Sequence, residues 1–409
     1  MPLSSNDALL DQLPQHPKLA EPDYANFIKL LKKLPKIRPA VASINTKDTV
    51  VVCRREILAE AISYYRSKYD TLPVFYTFSP DNSLDHSCSD AVVKDIETLS
   101  PNNKVHIFTS LTARRPGHLG LTHLVRQVAT KGIFTPSIEL ESIDRFCNAN
   151  QPTSLSISEL TIMKECYSAL EDQESKSAFL GTCKARLLGN PSFIPLALYP
   201  QYYHPEVQIE EGDVVCEGGI CDGKTSAKFA RTVGERGKVY AFEPVPTCYE
   251  NSLKRTWKYS NIHLECKALW KTNDLLPLTI TNPTLGYSSV VNQGTPVASQ
   301  CQATSIDNFF KSSPPPTLIK LDVEGAEIAV LEGALKTIRN YRPKLVISIY
   351  HTNNGNDLLN VPKFLLDLNL NYALYVGHHS VWFNETILYA IPKDREHHTK
   401  PAASCRENK

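Results

Sequence analysis

The sequence predicts an α/β chain. Residues 206–395 are expected to form a mostly parallel, seven-stranded sheet between helices, preceded by a smaller α/β domain. Three observations carry this. From residue 212 onward, short apolar runs alternate with longer segments of helical period. The same alternation recurs more weakly between 49 and 131. Between the two lies a stretch, 151–205, with helical stripes but no strand-like run.

In chain order, residues 1–45 read as an extension with one amphipathic helix, Tyr24 to Leu34. The domain at 46–150 opens with buried strands Thr49–Cys53, Leu72–Phe78 and Lys104–Thr109. Helices are expected at Ile57–Tyr69, Ser89–Leu99 and His118–Lys131. No glycine turn follows its first strand, so no nucleotide site is assigned there. The linker 151–205 carries helices Ser156–Leu170 and Ser175–Leu188 and ends where Asn190-Pro191 and Tyr199-Pro200 break the pattern.

The second alternation gives strands at Asp213–Glu217, Lys238–Phe242, Ile262–Leu269, Leu318–Asp322, Lys344–Tyr350, Tyr372–Val376 and Thr386–Ile391. Helices fall at Lys224–Val233, Cys248–Tyr259, Ala326–Asn340 and Pro362–Leu368. An insert at 271–316, rich in Thr, Asn, Pro and Ser, is expected to hold a hairpin of Leu278–Thr281 with Ser288–Asn292. Residues 396–409 read as a tail.

Composition narrows the function classes. The chain has 409 residues, 42% hydrophobic and 21% charged, with a formal net charge of +1. That suits a globular protein with a full core and gives no overall field to attract nucleic acid. No apolar stretch is long enough for a membrane span, and the N-terminal residues lack a secretory pattern. The eleven cysteines are scattered without a C-x-x-C pair, which favours free thiols in a reducing compartment and a cytoplasmic location.

Four segments carry candidate chemistry. Gly212–Thr225, G-D-V-V-C-E-G-G-I-C-D-G-K-T, runs from a buried strand into an acid and a glycine turn at the carboxyl end of that strand, where open α/β sheets bind ligands. Its spacing is not G-x-G-x-x-G, and Glu217 stands where a pyrophosphate turn avoids negative charge. An acid there suits a cationic ligand such as an amino-acid ammonium; a tight turn without a ligand is the plain alternative. Val239–Pro244, V-Y-A-F-E-P, ends the second strand on Glu243, placed to accept ribose hydroxyls, or else an ordinary surface acid. Leu318–Gly333, L-I-K-L-D-V-E-G-A-E-I-A-V-L-E-G, puts Asp322 at the same edge, with Glu324 and Glu327 able to serve only as charges on the next helix's first turn. Pro343–His351 and Tyr375–Ser380 place His351, His378 and His379 at or beyond strand ends, as candidate bases or ordinary core histidines. Neighbouring residues of a strand face opposite ways, so at most one of His378 and His379 should face the site.

Together with T-S-I-D-N-F-F (Thr304–Phe310) and the E-T-I-L-Y-A tail, these segments resemble the FkbM family of S-adenosylmethionine-dependent methyltransferases over about 206–392. The segment Ala169–Leu187 is similar to one that often precedes the family's domain. The resemblance implies a class I, Rossmann-like methyltransferase domain and methyl transfer to a hydroxyl of a sugar or polyketide-like natural product. It implies that Glu217, Gly218, Gly219 and Gly223 line the methionine moiety, that Glu243 holds the ribose, and that Lys267, Ala268 and Leu269 flank the adenine, with Asp222, Thr225 and Pro244 also among the cofactor-binding residues. Asp322 would face the reaction centre. The family commonly has aspartate at position 217; the glutamate here keeps the charge on a longer arm.

An alcohol is a poor nucleophile at neutral pH, so a base is expected: His351 first, then Asp322 and His378. A divalent metal could replace it by acidifying the hydroxyl, but the acids show no familiar ligand spacing and no metal residue is assigned. The rivals are an NAD(P)-dependent oxidoreductase, a nucleic-acid methyltransferase and a catalytically silent nucleoside-binding scaffold. The acceptor is expected to be a small molecule or carbohydrate, with no nucleic-acid or membrane partner; a homodimer is possible.

Overall fold

A computed structural model of the chain describes residues 21–33, 45–53, 58–77, 91–108, 127–128, 131, 137–138, 157–189, 193–282, 287–289, 299–351, 356–380 and 383–394. The expected tail and most of the helix expected at His118–Lys131 lie outside them.

Helix α1 (Glu21–Lys33) precedes a parallel sheet of β1 (Thr49–Val52), β2 (Val74–Thr77), β3 (Val93–Asp95), β4 (Lys104–Ile107) and β5 (Ser137–Ile138), in the order β3-β2-β1-β4-β5. Strand β1 is Thr-Val-Val-Val and wholly buried, as a central parallel strand covered on both faces must be. Its alternate residues serve opposite cores. Val50 and Val52 pack with Tyr76, Ile96 and Ile107, while Val51 packs with Phe75, Phe108 and α2 (Leu58–Lys68). The helix expected over Ser89–Leu99 is not formed in its described part, which is strand β3 and a short 3-10 turn, Ile96–Thr98. Val93–Asp95 pair with β2 instead, and Asp95 then caps the short turn by accepting from the Glu97 N–H.

Helices α3 (Ile157–Ala169) and α4 (Gln173–Leu188) occupy the linker. Asp172 caps the start of α4, and Gly189, with φ of 63°, closes its end.

The main sheet has seven strands among the described residues, in the order β15-β16-β14-β13-β6-β7-β8. They are β6 (Val214–Gly218), β7 (Lys238–Phe242), β8 (Ile262–Glu265), β13 (Leu318–Leu321), β14 (Lys344–Ser348), β15 (Tyr372–His378) and β16 (Thr386–Pro392). Only β16 runs against its neighbours. Cys216 and Ile319 belong to one apolar layer, Val215 and Leu318 to the other, so both faces are covered. The chain runs β6, β7, β8 to one side and then crosses to β13 on the other. The order therefore reverses between β6 and β13, opening a crevice at their carboxyl ends.

Two expected elements are broken. The strand expected over Ile262–Leu269 divides at Cys266-Lys267: β8 stays in the main sheet, and β9 (Ala268–Leu269) pairs with β12 (Ser299–Thr304) of the insert. The insert's sheet has the order β11-β10-β12-β9, with β10 (Asp274–Asn282) and β11 (Tyr287–Ser289) forming the expected hairpin with a longer first arm. The helix expected over Ala326–Asn340 divides into α8 (Glu327–Glu332) and α9 (Leu335–Tyr341). At Gly333 the Trp270 carbonyl comes so close that a Cβ would sit 2.3 Å from its oxygen. Asp307 then accepts from the backbone N–H groups of Lys336 and Thr337, at 3.0 and 2.8 Å, and restarts the helix.

The remaining helices are α5 (Lys224–Val233), α6 (Pro246–Thr256), α7 (Ile306–Phe309) and α10 (Asp357–Asp367). At the opposite end of the sheet from the crevice, the buried Lys344 ammonium donates to Asp213 at 2.6 Å, to Glu210 at 3.1 Å and to the Gln208 carbonyl at 2.7 Å. Asp213 also accepts from Thr317 at 2.6 Å, tying together the starts of β6, β13 and β14.

Candidate active site

The crevice is built on a turn that only glycine can make. Gly219 has φ of 74°, and a Cβ on it would lie 1.8 Å from the Asp322 carbonyl oxygen. The turn after β6 and the residue ending β13 are therefore in direct backbone contact. Lys320 braces this contact from beneath, donating to the Gly219 carbonyl at 2.6 Å and reaching the Gly218 carbonyl at 3.3 Å. Its ammonium also lies 4.9 Å above the centre of the Tyr202 ring. Gly223, with φ of 74°, opens α5 against Ser252.

Glu217 was expected to face a ligand. The structure instead buries it completely, with Ser226 donating to one oxygen at 2.6 Å and Lys320 standing 3.8 Å from the other. That second oxygen has no hydrogen bond among the described residues. Burial raises the carboxyl's pKa, with Lys320 and Ser226 opposing. Its direct work is to hold Lys320 under the turn.

Glu243 ends β7 beside the turn. One oxygen accepts from the Val245 N–H at 2.9 Å and the other from the Cys221 N–H at 3.1 Å. Burial pushes it up to about 7 against these bonds. The Ile220 N–H also bears on the carboxylate, which still has room for a further donor. Asp222 turns outward: it accepts from the Lys224 N–H at 3.1 Å and pairs with the Lys224 ammonium at 2.8 Å and with Arg255 at 3.4 Å. Thr225 follows in the first turn of α5, and Pro244 is half-buried after β7. Ala268 and Leu269 are buried in β9, and a Leu269 methyl would lie 3.0 Å from a Cβ at Gly218, so this strand does border the turn. Lys267 points its ammonium to Glu265 at 2.7 Å.

On the other side of the turn, Asp322 accepts from the Tyr202 hydroxyl at 2.7 Å and the Tyr350 hydroxyl at 3.0 Å. Burial works to raise its carboxyl, but Lys320, His351 and the two tyrosines outweigh it and hold the group below the ordinary value. Glu324 has φ of 54° and Gly325 φ of 95°, so the chain kinks sharply after β13. Glu327 folds back into this kink, accepting from the N–H groups of Val323 and Gly325, both at 2.9 Å. The D-V-E-G-A-E segment is thus a loop braced by its own last acid, with Asp322 and Glu324 on its rim.

His351 stands just past β14 against this rim. Its Nδ1 is 2.9 Å from Glu327, and its Nε2 is 3.6 Å from Glu324 and 3.7 Å from Asp322. Burial alone would lower its pKa; Glu327, Asp322 and Glu324 more than offset this and raise it to about 10. The surrounding acids thus favour the protonated form of the ring. Burial lifts Glu324 to about 7, with His351 opposing and the neighbouring acids adding.

His378 is corrected on geometry. It is fully buried at the end of β15, with Nδ1 2.8 Å from the Thr386 hydroxyl. β16 separates it from β14, roughly 9–10 Å across two strand spacings. His379 is likewise buried, 2.8 Å from the Tyr389 hydroxyl. Neither of the pair joins Asp322. Sequence reasoning missed Tyr202, Lys320 and Tyr350. Lys320, a lone cation within an apolar strand, was the readable signal, as was Tyr350 beside His351. Tyr202 lies before the domain's first strand and gave none.

Residues 217–374 match the methyltransferase FkbM domain. The chain is similar to the crystal structure of methyltransferase FkbM from Methylobacillus flagellatus KT, at 16% identity and a TM-score of 0.51, covering 90% of this chain and 99% of that one. At this identity the likeness shows the fold. Fibrillarin from Aeropyrum pernix, in complex with S-adenosyl-L-methionine, matches at 15% identity and a TM-score of 0.30 over 45% of this chain and 68% of that one. A putative rRNA methylase from Clostridium thermocellum matches at 15% identity and a TM-score of 0.31, covering 45% of this chain and 88% of that one. Likenesses this partial carry no argument. No curated protein sequence matches the chain, and no helix among the described residues is long and apolar enough to cross a membrane. The crevice between β6 and β13 therefore lies within the stretch, residues 217–374, that matches the methyltransferase FkbM domain.

Proposed function

We propose that the protein transfers a methyl group from S-adenosylmethionine to a hydroxyl of a small acceptor, a sugar or polyketide-like natural product. The observation that carries this is the pair of strand-end acids, Glu243 and Asp322, on either side of the Gly218-Gly219 turn. Glu243 offers two carboxylate oxygens to the ribose diol. Gly218 and Gly219 let the methionine chain lie along the backbone. Asp322 faces the far end, where the sulfonium methyl and the acceptor hydroxyl meet. The protein's main contribution is alignment, because the sulfonium is already an electrophile. Asp322, pinned by Tyr202 and Tyr350, accepts from the acceptor hydroxyl and points its oxygen at the methyl carbon.

The missing G-x-G-x-x-G and the carboxylate of Glu243 at the strand end disfavour a nicotinamide cofactor, whose pyrophosphate would meet negative charge there. The test is transfer of isotopically labelled methyl from S-adenosylmethionine to a panel of sugar and polyketide alcohols. Label recovered as an ether supports the reading. Label found only on nitrogen or carbon acceptors contradicts O-methylation.

A further inference from the structure

We propose that His351, Asp322 and Glu324 form a divalent-cation site on the rim of the crevice, and that the bound ion holds the acceptor hydroxyl. This rests on the methyl-transfer reading above and adds a ligand to it. The geometry begins with Glu327, which is fully buried and fixed by two backbone N–H groups. One of its oxygens lies 2.9 Å from His351 Nδ1, an ion-pair contact rather than an aligned hydrogen bond. A carboxylate on one ring nitrogen that leaves the other free to ligate is the usual arrangement behind a metal-bound histidine. The second nitrogen here is Nε2, and an incoming ion would displace any proton on it. It is aimed between Glu324 at 3.6 Å and Asp322 at 3.7 Å, and makes no hydrogen bond among the described residues. The His351 side chain is only 5% exposed, so water does not readily supply the missing partner. A ring nitrogen held between two carboxylates, with no hydrogen bond among the described residues, presents the mixed donor set that a divalent cation takes up.

The spacing fits an ion. Ligand bonds of about 2.0–2.2 Å place neighbouring donors roughly 3–3.6 Å apart, close to the separations at Nε2. Donor atoms of Asp322, Glu327 and His351 lie within 4.8 Å of one another, and Glu324 joins them through its approach to Nε2. One imidazole with two carboxylates suits a first-row ion such as Mn²⁺. The left-handed backbone at Glu324, φ of 54°, is a strained conformation for a non-glycine residue and brings its carboxylate to the histidine.

With three protein ligands, the ion keeps open positions for the acceptor. The ion-bound hydroxyl loses its proton to water. Its oxygen then bonds to the methyl carbon as the carbon–sulfur bond breaks, and the sulfonium becomes a neutral thioether. An ether and one proton are the balanced products.

The test uses the full chain and Mn²⁺ alone. Titration followed by electron paramagnetic resonance should show one bound ion per chain, with nitrogen modulation of its spin echo. His351→Ala should abolish the nitrogen signal, and His351→Ala and Glu324→Gln should each weaken Mn²⁺ binding at least about tenfold. Glu327→Gln, a positioning change, should weaken it by roughly 10–100-fold. S-adenosylhomocysteine binding should be unchanged in Glu324→Gln, which also reports that this partly exposed variant is folded. Mn²⁺ binding that is absent, or equal in wild type and Glu324→Gln, overturns the ion site while homocysteine-cofactor binding keeps the methyl-transfer reading. Loss of both kinds of binding in folded wild type overturns the two together.

Discussion

Replacing Glu243 with glutamine separates what this residue costs the fold from what it gives the ligand. The carboxyl is 4% exposed, and burial lifts it from 4.5 to about 7. At about 1.36 kcal/mol per unit, keeping it ionised costs the fold roughly 3 kcal/mol above neutrality. The cost vanishes below the ordinary glutamate range, where the group is protonated folded or unfolded. It grows as pH rises toward 7 and is complete above it. Glutamine removes the cost but turns an amide NH₂ toward the N–H of Val245 or Cys221, a loss of about 1–3 kcal/mol. The two nearly cancel, so Glu243→Gln should match wild-type stability within about 2 kcal/mol near pH 8. On acidification, wild type should gain on the variant by roughly 3 kcal/mol. Ligand affinity should move alone: losing a charged acceptor for the ribose costs about 1.5–3 kcal/mol, ten- to over a hundredfold in Kd. Urea unfolding and calorimetry with S-adenosylhomocysteine read the two quantities. Equal ligand affinity in variant and wild type would refute the ribose role, and a stability loss above about 4 kcal/mol would refute the cost assigned to the buried charge.

Three further outcomes follow from other parts of the structure. Wild-type affinity for S-adenosylhomocysteine should fall as pH drops through about 7, because Glu243 then takes up a proton; an isotherm flat from acid to alkali counts against this. Gly219→Ala must move the Asp322 carbonyl or adopt a strained φ, so it should lose more than about 3 kcal/mol of stability and all cofactor binding; near-native melting would contradict the close contact. Lys344→Met leaves buried Asp213 without its cation at the far end of the sheet, so unfolding should lose about 3–5 kcal/mol while Kd for the cofactor analogue stays the same in whatever fraction remains folded.

What was legible in the sequence was the local pattern. Strands β6, β7, β13, β14 and β16 are apolar runs bounded by glycine, proline or an acid, and their positions follow from that alone. The break between β8 and β9 was not legible, because Ile262–Leu269 reads as one strand until β12 captures its second half. The division at Gly333 depends on Trp270, far away in sequence. Ser89–Leu99 carries a helical stripe that pairing of Val93–Asp95 with β2 overrides in its described part. In the site, strand-end positions for Glu243 and Asp322 could be read from the motifs. Whether Glu217 faced solvent could not, since Lys320 and Ser226 reach it from other elements. The histidines show the same limit: spacing put three of them near strand ends, and only the strand order separates His351 from His378 and His379.

The most direct test of the account is isothermal titration of the purified full-length chain with S-adenosylmethionine, S-adenosylhomocysteine and NADH. The account predicts one-to-one, micromolar-range binding of the first two and none of the third. Binding of NADH alone would contradict it and make the β6–β13 crevice an oxidoreductase site.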